Sequence, residues 1–392
     1  MWRAWIVALV VLVAAFAAPA RARLQPADNS GLFLSQDEGE SWTHLVSSPP
    51  VASVYALWLD PSQPGRILVG TEQLLWLSED EGVNWLPVGG ELAAADEPPI
   101  AYAIAADPAA PERLWAGTSG GVLHSPDAGL TWVPMGELSS PAVALVALAD
   151  PAGTVLYAGT ADGLRVSRDD GASWEPDDGG LEGAVLSIAL GPDGELLVGT
   201  TVGVFARQPG GGDFAAARGL TRGPARLVRF LEDGTAYAAV SATLYRRESG
   251  WAKVTTLPLA SNGDPPVIGA LLPVGADGLL LGTDHGLFRS GDWRLVPPFD
   301  ELSYLEVGPL LRDPHRPELI YLGASALPQQ VGLARAGIQF EAEPTQPADD
   351  RLAALILLLF VVGGFLAARY LSRRGQAPSP DEPSGEAGGP SE

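Results

Sequence analysis

The sequence predicts an all-β chain built as a single β-propeller of four-stranded antiparallel sheets, and three observations predict it. A turn motif, Ser-x-Asp-x-Gly-x-x-Trp, occurs four times, and its tryptophans (Trp42, Trp85, Trp132 and Trp174) are spaced 43, 47 and 42 residues apart. Short apolar runs recur around each copy and end alternately in Asp-Pro and Gly-Thr. Gly (47) and Pro (35) are plentiful and only 18% of residues are charged, a composition suited to many short strands joined by tight turns. Four short strands in a unit of about 40 residues make one propeller blade.

Each unit reads as strand A, Asp-Pro turn, strand B, Gly-Thr loop, strand C, the Trp-bearing turn, then strand D. The Asp-Pro turns fall at Asp60-Pro61, Asp107-Pro108, Asp150-Pro151 and Asp313-Pro314, with Gly191-Pro192-Asp193-Gly194 and Asp277-Gly278 in the same place. The B strands end at Gly70-Thr71, Gly117-Thr118, Gly159-Thr160, Gly199-Thr200, Gly282-Thr283 and Gly323-Ala324, and Ala238-Ala239-Val240 is a worn copy. Later turns are degenerate: Phe214 replaces the tryptophan, and Trp251 and Trp293 follow shortened turns. There are seven A–B pairs but eight C–D endings. Residues 31–45 can complete the last A–B pair, which closes the ring at seven blades; eight blades, one of them incomplete, is the alternative. Closure hides strand edges that would otherwise invite aggregation.

The four full copies comprise Ser35, Asp37, Gly39 and Trp42; Ser78, Asp80, Gly82 and Trp85; Ser125, Asp127, Gly129 and Trp132; and Ser167, Asp169, Gly171 and Trp174. The Asp side chain can accept backbone N–H groups of its own loop, Gly supplies the positive φ, and Trp packs on the hairpin. The motif is therefore a turn-stabilising device. It resembles the Asp-box, or BNR repeat, of sialidases, sortilin-type receptors, xyloglucanases and photosystem II assembly factors. The resemblance implies a propeller and leaves three functions open: a binding or scaffold module for a protein or glycan, a sialidase-type glycoside hydrolase, or an assembly factor for a membrane complex.

The two ends set the expected location. Residues 1–22 have an arginine (Arg3), an uncharged middle and a small-residue end, Ala18-Pro19-Ala20, as in a cleaved secretory signal. The propeller is expected over 23–341 and a short stalk over 342–351. Residues 352–370 are apolar from Leu352 to Ala368 and end at Arg369 and Tyr370. At about 1.5 Å per residue the uncharged run covers roughly 26 Å, just enough for a transmembrane helix. Arg369, Arg373 and Arg374 follow it, so the propeller is expected outside and the tail, 371–392, in the cytoplasm. That tail is Pro, Ser, Gly and Glu, too polar to bury a core. The chain would be a single-pass protein of the cell membrane.

Chemistry is sparse. The net charge of −23 argues against nucleic acid as a partner. Cysteine is absent, which removes disulfides and thiolate metal sites, and His44, His124, His285 and His315 show no ligand spacing. No cofactor and no metal is expected. Sialidases of this fold use an arginine triad and an Arg-Ile-Pro motif; Arg66-Ile67-Leu68 is the nearest string here. Xyloglucanase-like enzymes place two acids between two propellers, and one propeller fits this length. No catalytic residue is assigned. A ligand would bind on the face opposite the Trp-bearing turns, where the B–C and D–A loops meet. The candidates there are Glu72, Asp162, Asp284 and His285 in B–C loops, and Asp96 and Glu97 in the long D–A loop.

The topology is open to direct test. Protease added to intact cells should digest the propeller and spare an epitope placed after Gly375. Digestion of the epitope with a protected propeller would reverse the orientation drawn from Arg369, Arg373 and Arg374.

Overall fold

The computed structural model describes residues 30–325, apart from 46–48, 50, 52, 151–152, 261–262 and 298–304. They form seven four-stranded antiparallel sheets, one per blade. Blade 1 consists of Val54–Leu59, Ile67–Thr71, Leu74–Ser78 and Leu86–Val88 as strands A to D. Blades 2 to 6 run over 101–134, 144–176, 185–216, 227–256 and 268–295. Blade 7 takes A and B from Glu306–Arg312 and Ile320–Ser325, and C and D from Gly31–Ser35 and Thr43–His44. Leu32 pairs with Gly323 and Ser35 with Ile320, so the ring is closed by the start of the chain and the blade count is seven. The expected signal, stalk, membrane helix and tail lie outside the described residues. Among the described residues no helix is long and apolar enough to cross a membrane.

The core is distributed around the ring. Seven hydrophobic clusters each join one blade to the next: Leu280 and Leu287 with Leu322 across blades 6 and 7, for example, or Leu68 and Leu75 with Leu114 across blades 1 and 2. No blade buries its faces alone, as expected where each repeat needs its neighbours. At the inner edge the blades approach so closely that a side chain is excluded. A Cβ at Gly70 would lie 2.8 Å from the Ala101 carbonyl oxygen, and one at Gly117 would lie 2.6 Å from that of Ala142. Gly159, Gly199, Gly282 and Gly323 abut the first residues of the following A strands in the same way. The glycines of the Gly-Thr repeat are thus the contact points between blades. The threonines after them are buried, and Thr118 Oγ1 both donates to the Gly121 carbonyl (2.9 Å) and accepts from Gly120 N–H (3.0 Å), which closes the B–C turn.

The outer ends of the hairpins are held by the repeated turn. Ser35 Oγ donates to Asp37 Oδ1 (2.9 Å) and accepts from Gly39 N–H (2.8 Å). Ser41 donates its N–H to Asp37 Oδ1 (2.9 Å) and its hydroxyl to Asp37 Oδ2 (2.5 Å). Glu38 and Gly39 both have positive φ, 58° and 80°, the backbone of a type I′ hairpin turn. The other three copies repeat this geometry. The residue before the tryptophan, Ser41, Asn84, Thr131 or Ser173, is a working member of the motif because its side chain donates to the second carboxylate oxygen. All four are short polar residues, a regularity visible in the sequence and absent from the pattern as first written.

Those hydrogen bonds favour the carboxylate form. At Asp127 burial works against the charge, and the bonds from Thr131 outweigh it, so the pKa falls. At Asp169 the Ser173 hydroxyl leads and the pKa drops to about 2. A depressed folded-state pKa gives stability that is complete above the unfolded value near 4 and is lost as pH falls through the folded value. Unfolding titrations should therefore show a plateau down to about pH 5 and a decline below about pH 4. Asp127→Ala, which strands the Thr131 donors, should cost about 1–3 kcal/mol at neutral pH and flatten that decline. An unchanged urea midpoint in this variant would remove the structural role assigned to the motif.

Candidate functional site

The central channel opens on the face opposite the Trp-bearing turns. Its mouth is built by an irregularity shared among the A strands. Pairing between strands A and B shifts register at Val54/Ala56, Ala101/Ala103, Val185/Ser187, Ile268/Ala270 and Val307/Leu310. Each shift leaves a residue without a cross-strand partner: Tyr55, Tyr102, Leu186, Gly269, and the Gly308-Pro309 pair. Bulges of this kind re-aim side chains and concentrate near functional sites. Here they gather around the channel axis.

A cavity of about 140 Å³ lies among them, lined by Tyr55, Leu186, Arg226, Glu306, Pro309 and Ser325, with Gly269, Val307 and Gly308 completing the wall. Arg226 Nη2 donates to Glu306 Oε1 in an ion pair whose side chains are 3% and 9% exposed. The two residues are 80 positions apart, on blades 5 and 7. Tyr55 lines the same cavity, and its ring centroid lies 6.0 Å from that of Tyr102. Burial pushes the Tyr55 phenol up to about 12, a hydrogen bond with Ser53 opposes that shift, and the nearby Glu72 and Glu306 charges add to it. Tyr55 therefore remains a neutral phenol throughout the physiological range. The mouth offers the partly exposed ring of Tyr55, backed by the buried Tyr102, and one neutralised charge pair.

The sequence candidates occupy the same face, but chiefly hold the loops together. Glu72 Oε2 accepts the Ser53 N–H (3.0 Å) and Asp284 Oδ1 accepts the Val267 N–H (2.8 Å). Ser119 and Thr201 do the same for Ile100 and Ala184 (2.9 and 3.2 Å). In each case the residue after the B strand's final threonine caps the N–H just before strand A of its own blade, adding a rung to the ladder. His285 Nδ1 lies 2.8 Å from Asp284 Oδ1. Asp162 is exposed and accepts from the Ser140 hydroxyl. Asp96 and Glu97 are exposed in the D–A loop. Among the described residues no group of three or more His, Asp or Glu is placed to hold a metal.

Tyr55, Tyr102, Arg226 and Glu306 are absent from the sequence candidates. A signal for three of them exists: each stands one residue before the A-strand residue that opposes the glycine of Gly-Thr or its alanine relative, Ala56, Ala103 and Leu227 opposing Gly70, Gly117 and Ala239. A tyrosine or arginine at that point of an otherwise aliphatic strand marks the channel.

This architecture defines a single-ring, seven-bladed β-propeller. No protein-family model and no curated protein matches the chain. Solved structures with the same fold include YCF48 bound to D1 peptide, at 14% identity and a TM-score of 0.52, covering 76% of this chain and 98% of that one. YCF48 from Cyanidioschyzon merolae has 12% identity and a TM-score of 0.51, with 71% and 97% covered. An ancestral GH74 enzyme has 17% identity and a TM-score of 0.53; 69% of this chain covers 43% of it. At such identities the likeness is one of fold alone.

The buried pair gives an asymmetric prediction. Arg226→Met strands a buried carboxylate and should cost about 3–5 kcal/mol, whereas Arg226→Met combined with Glu306→Leu should cost much less. Equal losses in the single and double variants, measured by urea unfolding, would show that the pair is not electrostatically coupled.

Proposed function

We propose that this chain is a binding module of the Asp-box propeller type that presents the mouth of its central channel to a polypeptide partner. The observation that carries this reading is the convergence, around one cavity at one end of a closed ring, of Tyr55 on an A-strand bulge and the Arg226–Glu306 pair, with Tyr102 packed near Tyr55. Tyrosines held by a rigid scaffold supply contact area at little conformational cost, and such residues dominate protein interfaces. The acids nearest the mouth are spent on closing loops, which favours binding over catalysis. Arg226 is the sole arginine among the described residues lining this cavity, and Glu306 occupies it, an arrangement unlike a triad waiting for a substrate carboxylate. A polypeptide, in preference to a glycan, draws support from the single-ring likeness to a propeller solved with a bound peptide.

We further propose that residues 1–22 direct export and that 352–370 anchor the chain, so that the propeller works at the outer surface of a membrane with 371–392 inside. The charge asymmetry around the apolar run supports this arrangement. The partner would then be a membrane protein or an exported one, and the module would act as a scaffold or assembly factor for it.

The test uses the full chain in detergent extracts as bait. A polypeptide captured by the wild-type chain should be lost with Tyr55→Ser and retained with Val133→Ser on the outer edge of blade 2. Capture lost only with the outer-edge change would move the site off the channel. Turnover of a fluorogenic sialoside by the purified chain would replace the binding reading with a hydrolytic one.

A further inference from the structure

The channel has a second end, and its chemistry differs. Where the A strands of blades 5, 6 and 7 finish, on the face of the Trp-bearing turns, a cavity of about 490 Å³ opens. Phe230, Leu272, Pro273 and Leu311 give it apolar walls, and Arg229 and Arg312 give it two guanidiniums.

The two cations are in different states. Arg312 is neutralised: its Nη1 and Nη2 donate to Glu38 Oε1 and Oε2 at 3.0 and 2.8 Å, and Nη2 also reaches the Pro273 carbonyl. Arg229 donates one hydrogen bond, from Nη1 to the Leu271 carbonyl at 2.6 Å. Burial pushes its pKa down, and no carboxylate among the described residues offsets that effect. A desolvated cation lacking a counter-ion is costly, and buried charges are normally paired. The exception is conspicuous in a chain with 47 acidic residues against 24 basic ones. A guanidinium has five donors in a planar fork that matches a carboxylate, and among the described residues one of them is used.

The surroundings narrow the anion. Glu232 and Asp233 also line this cavity, so a dianion such as phosphate meets repulsion on entry. The apolar walls suit a ligand with a hydrocarbon or aromatic body. We propose that this end of the channel binds an organic monocarboxylate with an apolar body, its carboxylate forked on Arg229 and its body against Phe230, Leu272 and Leu311. The site stands apart from the channel mouth and does not depend on the polypeptide reading.

Phenylacetate is the probe, titrated calorimetrically into the full-length chain in an uncharged detergent, with 2-phenylethanol and inorganic phosphate as comparisons. Phenylacetate should bind at least about tenfold tighter than either, and Arg229→Met should abolish that preference. In the ligand-free state Arg229→Met should leave the unfolding midpoint equal to or above that of the wild type, since it removes an uncompensated cation; a purely structural arginine would lower it. Should Arg229→Met fail to fold, Arg229→Lys is read instead, and it should weaken phenylacetate while keeping the preference over the alcohol. Phenylacetate binding no tighter than 2-phenylethanol, or unchanged in the Arg229 variants, overturns the proposal.

Discussion

The contact between each B-strand glycine and the first residues of the next A strand is the constraint on which the molecule depends. Seven blades meet around one axis, and their inner edges have the least room. A backbone carbonyl sits against Gly70, Gly117, Gly199 and Gly282 at distances no Cβ tolerates, and the Val185 and Val54 side chains fill the same space against Gly159 and Gly323. Between blades 5 and 6 the position is Ala239, packed with Ile268 in one cluster. The seven hydrophobic clusters lie between blades, so closure of this inner ring aligns all seven interfaces together. Seating Gly31–Ser35 beside Ile320–Ser325 is what turns six complete hairpin pairs and two halves into a ring without free inner edges.

The channel mouth follows from the same contact. In five of the seven blades the A-strand residue at this contact ends one rung of the A–B ladder and the next residue is the bulged one, as where Ala101 touches Gly70 and Tyr102 is left without a cross-strand partner. In blade 5, where the A–B pairing has no register shift, Ala225 touches Gly199 and Arg226 lines the cavity just before the strand begins. Blade packing and site construction are thus one event, and a side chain at those glycines would displace both. The repeated Asp turns sit at the other end of the C and D strands, and their carboxylates are consumed by their own Ser, Thr or Asn partners. These four carboxylates serve the turns, whereas the polar groups in the channel are few and specific.

Charge along the axis is uneven. Blade 5 places Arg226 at one end of its A strand and Arg229 within it, and the two receive different treatment. Arg226 is buried with Glu306, which keeps the mouth neutral and rigid. Arg229 lines the far cavity, which Glu232 and Asp233 also line, and its one hydrogen bond among the described residues goes to the Leu271 carbonyl. The proposed polypeptide site thus has Tyr55 beside a neutral ion pair, and the proposed anion site has the Arg229 guanidinium at the far end.

The sequence by itself determined the parts whose signal is local or periodic. The Trp spacing and the Asp-Pro and Gly-Thr alternation set the strand order within each blade, and the extra C–D pair at 31–45 offered closure at seven blades with eight as the alternative, which the pairing of Gly31–Ser35 with Ile320–Ser325 decided. The four-fold turn motif was legible for the same reason, since its hydrogen bonds span four residues; the added role of Ser41, Asn84, Thr131 and Ser173 was equally readable there. Glu72 and Asp284 were read as loop residues of a candidate ligand face; their partners Ser53 and Val267 are a strand pair away, and only the folded ladder reveals that they cap it. The tertiary structure alone decided the channel. Arg226 meets Glu306 across 80 residues, and Arg229 meets no carboxylate among the described residues, because ring closure fixes which A strands face one another. A residue's distance from a common axis is a property of seven blades at once, and no window of one sequence contains it.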